Sequence, residues 1–487
     1  MGAELRQLHV VFFPFLAYGH MIPTLDIARL FASRGVRTTI VTTPVNAQTF
    51  LKSILNMPKL RPSITLEVFP FPAKDAGLPD GVENLEQAVS LDMFGQFIEA
   101  TERLRHPLEL LLESCHPDCF VADMFLPWAT DAAAKFNIPR LIFHGTGFFS
   151  LCVSDVLRLY EPHLTPFSDD EPFSLPYLPH EVILTRMQLP PEYRESGETD
   201  STRLFNRVKE SEDKSYGVIV NSFYELESAY ADYYKKVLGR RAWHIGPVSL
   251  CNGNMEEKTQ RGKEAAVDEH TCLEWLNSNK ANSVVYICFG STVKFSAAQL
   301  HEIASALDAS GQRFVWVVGG CSDNGIEHHQ WMPQGFGKRT AGKVLIIKGW
   351  APQVLILGHE AVGAFVTHCG WNSILEGVSA GVPMVTWPVF AEQFFNEKLV
   401  TEVLAIGLPV GAKKWTETAS GSAIVNREAI EKAVKRILEG EEAKEMRNRV
   451  KQLKEMAWRA VEKGGSSYSD LSVLIEELSS YHLLRSK

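Results

Sequence analysis

Residues 350–393 read WAPQVLILGHEAVGAFVTHCGWNSILEGVSAGVPMVTWPVFAEQ, and this stretch decides the fold class. Val362–Thr367 is a short apolar run rich in β-branched residues, which predicts a buried strand. A turn containing Gly370 follows, and residues 373–380 predict a helix that ends at Gly381. Strand, turn and helix form a βα unit, in which the free N–H groups and the dipole of the helix favour an anion just beyond the strand.

The polar side chains of this βα unit suit a nucleotide. His368 offers an imidazole donor, and Asn372 and Ser373 can cap the helix or donate to an anion. Glu376 lies one turn inside the helix, where its carboxylate can accept hydrogen bonds from the two hydroxyls of a ribose. The sequence therefore predicts a diphosphate and a ribose at this edge of the sheet.

The two ends of the stretch suit a base and a sugar. Trp350 follows a predicted strand at 344–348 and can offer its ring face to a flat base, whose amide edge Gln353 can read. Glu392 and Gln393 follow another strand end, where they can meet the hydroxyls of a hexose. Residues 350–393 thus hold candidates for every part of a nucleotide sugar.

Nearly residue for residue, 350–393 resembles the signature box of plant secondary-product glycosyltransferases, a family of inverting UDP-sugar-dependent enzymes. The resemblance covers essentially the whole chain and implies the GT-B fold, in which two Rossmann-like α/β domains face each other across a cleft. The candidate UDP-sugar site also includes Gly19, Ser291, Ala351, Gly370 and Trp371 and, by the resemblance, Thr146.

The domain organisation follows from length and from alternating strand and helix patterns. The chain has 487 residues, which is too long for one ordinary domain. We expect an acceptor-binding domain at 1–250, a polar linker at 251–270 and a UDP-sugar-binding domain at 271–467. The last helix, about 468–487, is expected to pack back onto the first domain.

Within the first domain, residues 8–13 predict a strand, 14–20 a turn, and Pro23 the start of a helix. Residues 86–115 predict a long helix with a break near Pro107, and 167–201, rich in Pro, Asp, Glu and Ser, predict a loop.

His20 and Asp123 are the candidate catalytic pair. His20 lies in the turn after the first strand, and an imidazole titrates near neutral pH and can take a proton from a hydroxyl. Asp123 ends a neighbouring strand and can hold the other ring nitrogen. In the family that the chain resembles, the matching residues are the base and its partner.

The resemblance implies direct displacement of UDP from the anomeric carbon, with inversion from an α-linked donor to a β-glycoside. The chain contains no Asp-x-Asp sequence for a divalent ion, so we expect a metal-independent enzyme with no cofactor beside its donor. The box ends in Gln393, as in relatives that prefer UDP-glucose.

Acceptor recognition is assigned to the first domain. The N-terminal half resembles the branch that acts on flavonoids, coumarins, other phenolics and triterpenoids. Tyr18 departs from relatives that carry His or Gln there, and as a neighbour of His20 it is expected to shape the acceptor mouth. The candidate acceptor residues are Phe15, Tyr18, Phe94, Phe125, Phe149 and Ala391.

Composition excludes several classes of protein. A net charge of −9 argues against nucleic-acid binding, and no apolar run reaches the ~18 residues of a membrane-spanning helix. The eight cysteines lack CxxC pairs, which favours reduced thiols and a cytosolic location. No pattern in the sequence indicates an oligomer, and a monomer is expected by default.

Three alternatives stay open at this stage: a non-catalytic UDP-sugar-binding protein, a transferase that uses another UDP-sugar, and a dinucleotide-dependent oxidoreductase. The last is disfavoured because no predicted strand is followed by G-x-G-x-x-G. The aglycone, the hydroxyl attacked and the extension of an existing sugar are not encoded in a readable pattern.

Overall fold

Two parallel sheets form the framework of the computed structural model, which describes residues 7–57, 59–88, 90–195, 197–319, 331–416 and 424–485. The strands are β1 (His9–Phe13), β2 (Arg37–Thr42), β3 (Ile64–Val68), β4 (Cys119–Asp123), β5 (Arg140–Phe143), β6 (Pro172–Ser174), β7 (Ile183–Thr185), β8 (Gly217–Val220), β9 (Ala242–His244), β10 (Val284–Cys288), β11 (Arg313–Val318), β12 (Val344–Lys348), β13 (Val362–Thr367), β14 (Met384–Thr386) and β15 (Gly407–Pro409).

The helices connect and cover these strands. They are α1 (Tyr18–Ser33), α2 (Pro44–Leu55), α3 (Leu91–Arg103), α4 (Arg105–Cys115), α5 (Ala129–Ala134), α6 (Phe148–Tyr160), α7 (Pro191–Arg194), α8 (Asp200–Asp213), α9 (Tyr224–Asp232), α10 (Met255–Thr259), α11 (Glu269–Asn277), α12 (Ala297–Ser310), α13 (Phe336–Arg339), α14 (Gln353–Leu357), α15 (Trp371–Ala380), α16 (Gln393–Lys398), α17 (Arg427–Glu439), α18 (Ala443–Val461) and α19 (Ser466–Arg485).

The order of the strands locates a binding edge in each sheet. Within the described residues the first sheet runs β3-β2-β1-β4-β5-β8-β9 and the second runs β12-β11-β10-β13-β14-β15. The direction of winding reverses between β1 and β4 and between β10 and β13, and each of these pairs is parallel. Ligands of open α/β sheets bind at such reversal points, outside the carboxyl ends of the strands.

Burial on both faces explains the composition of the central strands. Every residue of β1, β4, β10 and β13 is buried, as expected of parallel strands covered by helices on either side. Their uninterrupted apolar runs therefore encode the middle of each sheet, and the polar residues that follow them are left at the carboxyl edge.

The first connection differs from the predicted turn. Helix α1 begins at Tyr18, so His20 lies in its first helical turn rather than in a loop, and Pro23 lies inside the helix rather than at its start. A proline removes one backbone donor, and here the carbonyl left without that donor is used elsewhere, as described below.

Two other predictions are corrected. The predicted helix over 86–115 breaks at Leu104 rather than at Pro107. Pro107 lies in the first turn of α4, where backbone N–H groups have no acceptor within the helix, so a proline is tolerated there. Residues 167–201 are not all loop, since they contain the antiparallel β6–β7 hairpin and α7.

The C-terminal helix α19 lies on the first sheet. Its residues Leu471, Leu474 and Leu478 are buried in a cluster with residues of β1 and β2. The segment between the two sheets is partly helical, because α10 and the start of α11 fall within 251–270. Among the described residues, no helix is both long and apolar enough to cross a membrane.

Candidate active site

The facing edges of the two sheets enclose a cavity of about 2490 Å³. Single small-molecule sites usually measure ≈ 300–1,000 Å³, so this cavity has room for two substrates. Of the residues predicted for the site, all line the cavity except Asp123 and Phe149. The reversal points of both sheets therefore open into one shared space.

A histidine–aspartate pair lies at the carboxyl edge of the first sheet. Nδ1 of His20 is 2.7 Å from Oδ2 of Asp123. The Asp123 side chain is fully buried, whereas that of His20 is 22% exposed and lines the cavity. The second carboxylate oxygen of Asp123 accepts a hydrogen bond from the backbone N–H of Phe125 at 3.0 Å, which fixes its orientation.

The electrostatics of the pair suit a base that must stabilise a proton once taken. Burial by itself lowers the pKa of His20, but the charge of Asp123 and its hydrogen bond outweigh burial, so the pKa is raised above 6.5. The carboxyl of Glu392, from the opposite edge, adds to this rise. An imidazolium formed at His20 is thus favoured by two carboxyl groups.

Glu392 and Gln393 open helix α16 on the other side of the cavity. Glu392 accepts a hydrogen bond from Asn396 at 3.0 Å, and burial raises the pKa of its carboxyl above the ordinary value. The side-chain oxygen of Gln393 accepts from the backbone N–H groups of Val389 and Phe390 at 2.9 and 3.1 Å. These bonds fix the loop that carries both predicted sugar-binding residues.

His368 lies at the start of the turn after β13. Burial lowers the pKa of its imidazole to about 4, so the ring is neutral near pH 7 and one nitrogen carries a donor hydrogen. Among the described residues its Nδ1 has no hydrogen-bond partner. A Cβ on Gly290 would lie 2.8 Å from the ring, so only glycine allows this close approach.

Gln353, Ser373 and Glu376 form one hydrogen-bonded group beside α15. Nε2 of Gln353 donates to Oε2 of Glu376 at 2.7 Å and to Oγ of Ser373 at 3.1 Å. Trp350 and Ser291 line the same cavity. The predicted contacts for base, ribose and diphosphate are thus gathered along the carboxyl edge of the second sheet.

Comparison with known proteins identifies the family. A family model described as UDP-glucoronosyl and UDP-glucosyl transferase matches residues 203–455. Scopoletin glucosyltransferase of Nicotiana tabacum is 57% identical over 475 residues, which cover 98% of each chain. The chain belongs to the plant UDP-glycosyltransferases.

A second relative and a solved structure agree with this assignment. Anthocyanin 3′-O-beta-glucosyltransferase of Gentiana triflora is 54% identical over 478 residues, covering 98% of this chain and 99% of that one. The crystal structure of a Glycyrrhiza uralensis UGT, complexed with glycyrrhetinic acid 3-O-monoglucuronide, superposes with a TM-score of 0.91. It is 43% identical and covers 99% of this chain and 97% of its own. The GT-B fold is thereby confirmed.

Two residues of the box hold the UDP-glycosyltransferase together across the cleft. Nδ2 of Asn372 donates to the carbonyl of Gly19 at 2.7 Å. That carbonyl is available because Pro23, four residues later, has no N–H to bond it. The indole N–H of Trp371 donates to the carbonyl of Asn221 at 2.6 Å. Both side chains, predicted at the UDP-sugar site, therefore also join the two sheets.

An aromatic wall surrounds the base. The ring of Phe15 lies 5.7 Å from that of His20 and 4.9 Å from that of Phe125. Phe94 and Tyr18 line the same side of the cavity. Phe149, in contrast, is fully buried against Tyr230 and does not line the cavity, so the structure does not bring it together with the other predicted acceptor residues. Its apolar helix α6 belongs to the core.

Sequence reasoning missed two positioning residues. Arg140, at the start of β5, donates to the backbone carbonyl of Asp123 at 2.8 Å. Trp415 donates its indole N–H to the carbonyl of Ala391 at 3.0 Å, and its backbone N–H bonds to Met187 of the first domain at 2.7 Å. No local pattern marks either residue, because each acts on a segment that is distant in sequence.

Proposed function

We propose that the protein is a UDP-glucose-dependent O-glucosyltransferase acting on hydroxyl groups of plant phenolics, such as flavonoids and coumarins, or of triterpenoids. His20 takes the proton of the acceptor hydroxyl, and the oxygen attacks the anomeric carbon as UDP leaves from the opposite face. The product is a β-glucoside and UDP.

The observation that carries the proposal is the His20–Asp123 pair at the wall of the same cavity that the box residues line. Asp123 holds Nδ1, so Nε2 is the nitrogen left for the acceptor hydroxyl. General-base catalysis of this type contributes ~10²–10⁴-fold. A non-catalytic UDP-sugar-binding protein would have no use for a hydrogen-bonded His–Asp pair at the cavity wall.

The donor is assigned to the second sheet. Trp350 stacks on uracil, Glu376 accepts from the ribose, and neutral His368, Ser291, Ser373 and the α15 N-terminus receive the diphosphate. Glu392 and Gln393 bind the glucose hydroxyls. A neutral imidazole donates to phosphate whatever the pH above about 4, the value to which burial lowers the pKa of His368.

Metal independence is part of the proposal. The diphosphate charge that develops on the leaving group is stabilised by the donors just named, and the sequence holds no Asp-x-Asp. Within the described parts of the chain, no group of three His, Cys, Asp or Glu side chains is arranged to hold a metal ion. Activity is expected to be unchanged by EDTA, and a loss that magnesium restores would overturn this part.

The acceptor class rests on the aromatic wall and on the relatives. Phe15, Phe125, Phe94 and Tyr18 offer flat apolar surface beside His20. The two relatives are named for scopoletin and an anthocyanin, and the solved neighbour holds a triterpenoid glucuronide. A cytosolic monomer completes the proposal, and the seven cysteines found free among the described residues suit a reducing compartment.

The test is a panel of scopoletin, a flavonol, an anthocyanidin and a triterpenoid alcohol, each offered with UDP-glucose, UDP-galactose and UDP-glucuronate. We expect transfer from UDP-glucose, with mass spectrometry showing one added hexose and NMR showing a β-linkage. UDP binding without transfer to any acceptor would favour the non-catalytic alternative, and an α-linked product would contradict direct displacement.

A further inference from the structure

An arginine from the segment between the two sheets reaches into the donor site. Nε of Arg261 donates to Oδ2 of Asp26 at 2.9 Å, and its Nη1 donates to Oε1 of Glu376 at 2.5 Å. The three side chains are 11%, 3% and 5% exposed. Arg261 therefore lies in a buried ion triad that spans α1 of the first sheet and α15 of the second.

The contacts leave Glu376 able to bind a ligand. Arg261 takes one carboxylate oxygen, and Gln353 takes the other at 2.7 Å. An ionised carboxylate offers about four acceptor positions, so two remain for a pair of hydroxyls. The rigid guanidinium fork of an arginine sets the plane of a carboxylate better than a lysine ammonium does.

Arg261 also offsets the cost of burying this charge. A carboxylate taken from water without a partner would bind a proton and lose its charge. Burial by itself lowers the pKa of the Arg261 guanidinium, but Asp26 and Glu376 outweigh burial and raise this pKa beyond its ordinary value. The guanidinium is therefore a charged partner for both carboxylates.

The neighbouring residue holds this segment against the base site. A Cβ on Gly262 would lie 2.3 Å from Cζ2 of Trp350, and the positive φ of 96° at Gly262 also favours glycine. Farther on, the backbone N–H of Ala266 donates to the carbonyl of Trp350 at 2.8 Å. Residues 261–266 are thus fitted to the candidate base and ribose contacts together.

We propose that Arg261 is a positioning residue of the donor site: it holds the Glu376 carboxylate turned toward the ribose hydroxyls of the donor, and ties that contact to α1 through Asp26. This inference rests on the ribose contact assigned to Glu376 under the proposed function. It adds the inter-domain segment to the elements that recognise the nucleotide.

The test compares UDP-glucose with donors that lack the 2′- or the 3′-hydroxyl of the ribose. Arg261→Gln should raise KM for UDP-glucose about tenfold, as for loss of a charge-assisted contact, and change kcat less than twofold. The same variant should raise KM for the deoxy donors only about threefold, because one of the two hydroxyl contacts that it disturbs is already missing. Arg261→Lys should recover part of the loss.

Arg29→Gln is the matched control. Arg29 is 6% exposed, pairs with Glu257 at 3.1 Å and lies 4.0 Å from Asp26. It therefore shares Asp26 with Arg261 but does not contact Glu376. The Arg29→Gln variant should lower the melting temperature of the protein to a similar extent as Arg261→Gln. Its preference for UDP-glucose over the deoxy donors should equal that of the wild type, because the ribose contact is intact.

The outcomes separate the two inferences. If Arg261→Gln and Arg261→Lys weaken all donors equally, or leave KM for UDP-glucose unchanged, the positioning role is overturned. Glu376→Gln should itself reduce the preference for the ribose hydroxyls. If it does not, the ribose contact assigned under the proposed function fails. If Glu376→Gln reduces this preference but the Arg261 variants do not, only the positioning role is rejected. Arg261→Lys keeps the charge, so it reports even where Arg261→Gln does not fold.

Discussion

The two walls of the cavity are built in different ways. The donor wall comes mainly from one continuous stretch, residues 350–393, in which every strand end contributes a candidate contact. The acceptor wall is assembled from residues on three connections of the first sheet, namely Phe15, Tyr18, Phe94 and Phe125. Both walls stand at a reversal point of their sheet, so the difference lies in what the chain places there.

This difference follows from the two ligands. The diphosphate group of the donor has the same charge and shape whichever acceptor is used. One strand–turn–helix unit can therefore bind it with backbone N–H donors and a helix dipole. An aglycone is recognised by the shape of an apolar pocket, and that shape is set by packing between loops. The donor wall can therefore be predicted from a sequence motif, whereas the acceptor wall is recognised only from the three-dimensional structure.

The largest expected effect separates chemistry from donor binding. His20→Ala should lower kcat by ~10²–10⁴-fold, because no other group replaces the base. The Kd of UDP, measured by titration calorimetry, should stay within about twofold of wild type, because the donor wall is separate from the base. Together these two measurements test whether the walls act independently.

His359→Ala is the control for this comparison. His359 lies before β13, at the amino edge of the second sheet, and contacts Asn277 at 3.0 Å. Its turnover should match the wild type. Turnover of His20→Ala within tenfold of the wild type would remove His20 from the mechanism, and a weakened UDP affinity would show that the two walls are coupled through it.

The fold was predictable where local signals agree. Helix α17 begins where the Asn426 side chain accepts from the Ala429 N–H, and an apolar stripe runs along one face of its sequence. Helix α6 was not predicted, because no side chain caps its start at Gly147 and most of its sequence FFSLCVSDVLRLY is buried. Buried helices of this kind are recognisable only from what surrounds them.

The residues of the candidate site also differ in whether local sequence signals identify them. The strand-end residues of 350–393 were found from spacing, since the βα unit fixes where they point. Arg261 contacts Glu376 across 115 positions and Asp26 across 235 positions of the chain, so no window of sequence contains the triad. The position of His20 was predicted, but its helical setting was not, because Pro23 indicated a later start.

The second prediction concerns the acceptor wall alone. Asp123→Asn should lower kcat by on the order of 10²-fold, since the ring loses both its orientation and the charge that stabilises the imidazolium. The base works only when His20 is neutral, so wild-type kcat/KM should rise with pH through the raised pKa of His20. In the variant burial still lowers this pKa and Asp123 no longer raises it, so the rise should move to lower pH.

The measurement is a pH profile of kcat/KM from pH 5 to 9, with UDP affinity followed in parallel. UDP affinity should not follow the profile of either protein, because burial keeps the pKa of His368 at about 4. A profile of Asp123→Asn that moves to higher pH, or that stays in place, would contradict the role of Asp123 as the partner of the base.

The smallest effect is expected where the two walls meet, at Trp415. Its indole N–H donates to the carbonyl of Ala391 at 3.0 Å, one residue before Glu392, while its backbone N–H donates to the carbonyl of Met187, in the first domain, at 2.7 Å. Trp415→Phe keeps an aromatic ring and removes only the indole donor. The loop that carries the sugar contact loosens, so KM for UDP-glucose should rise about fivefold, as for one lost hydrogen bond.

Trp458→Phe is the matched change, because Trp458 donates its indole N–H to the carbonyl of Ser379 at 3.1 Å and does not line the cavity. It should leave KM for donor and acceptor unchanged. If Trp415→Phe raises KM for the acceptor as much as for UDP-glucose, the loop serves both walls and the division between them is weaker than their sequences suggest. If neither KM changes, the other contacts of Ala391 are sufficient to hold it, and Trp415 contributes only its backbone contact with Met187.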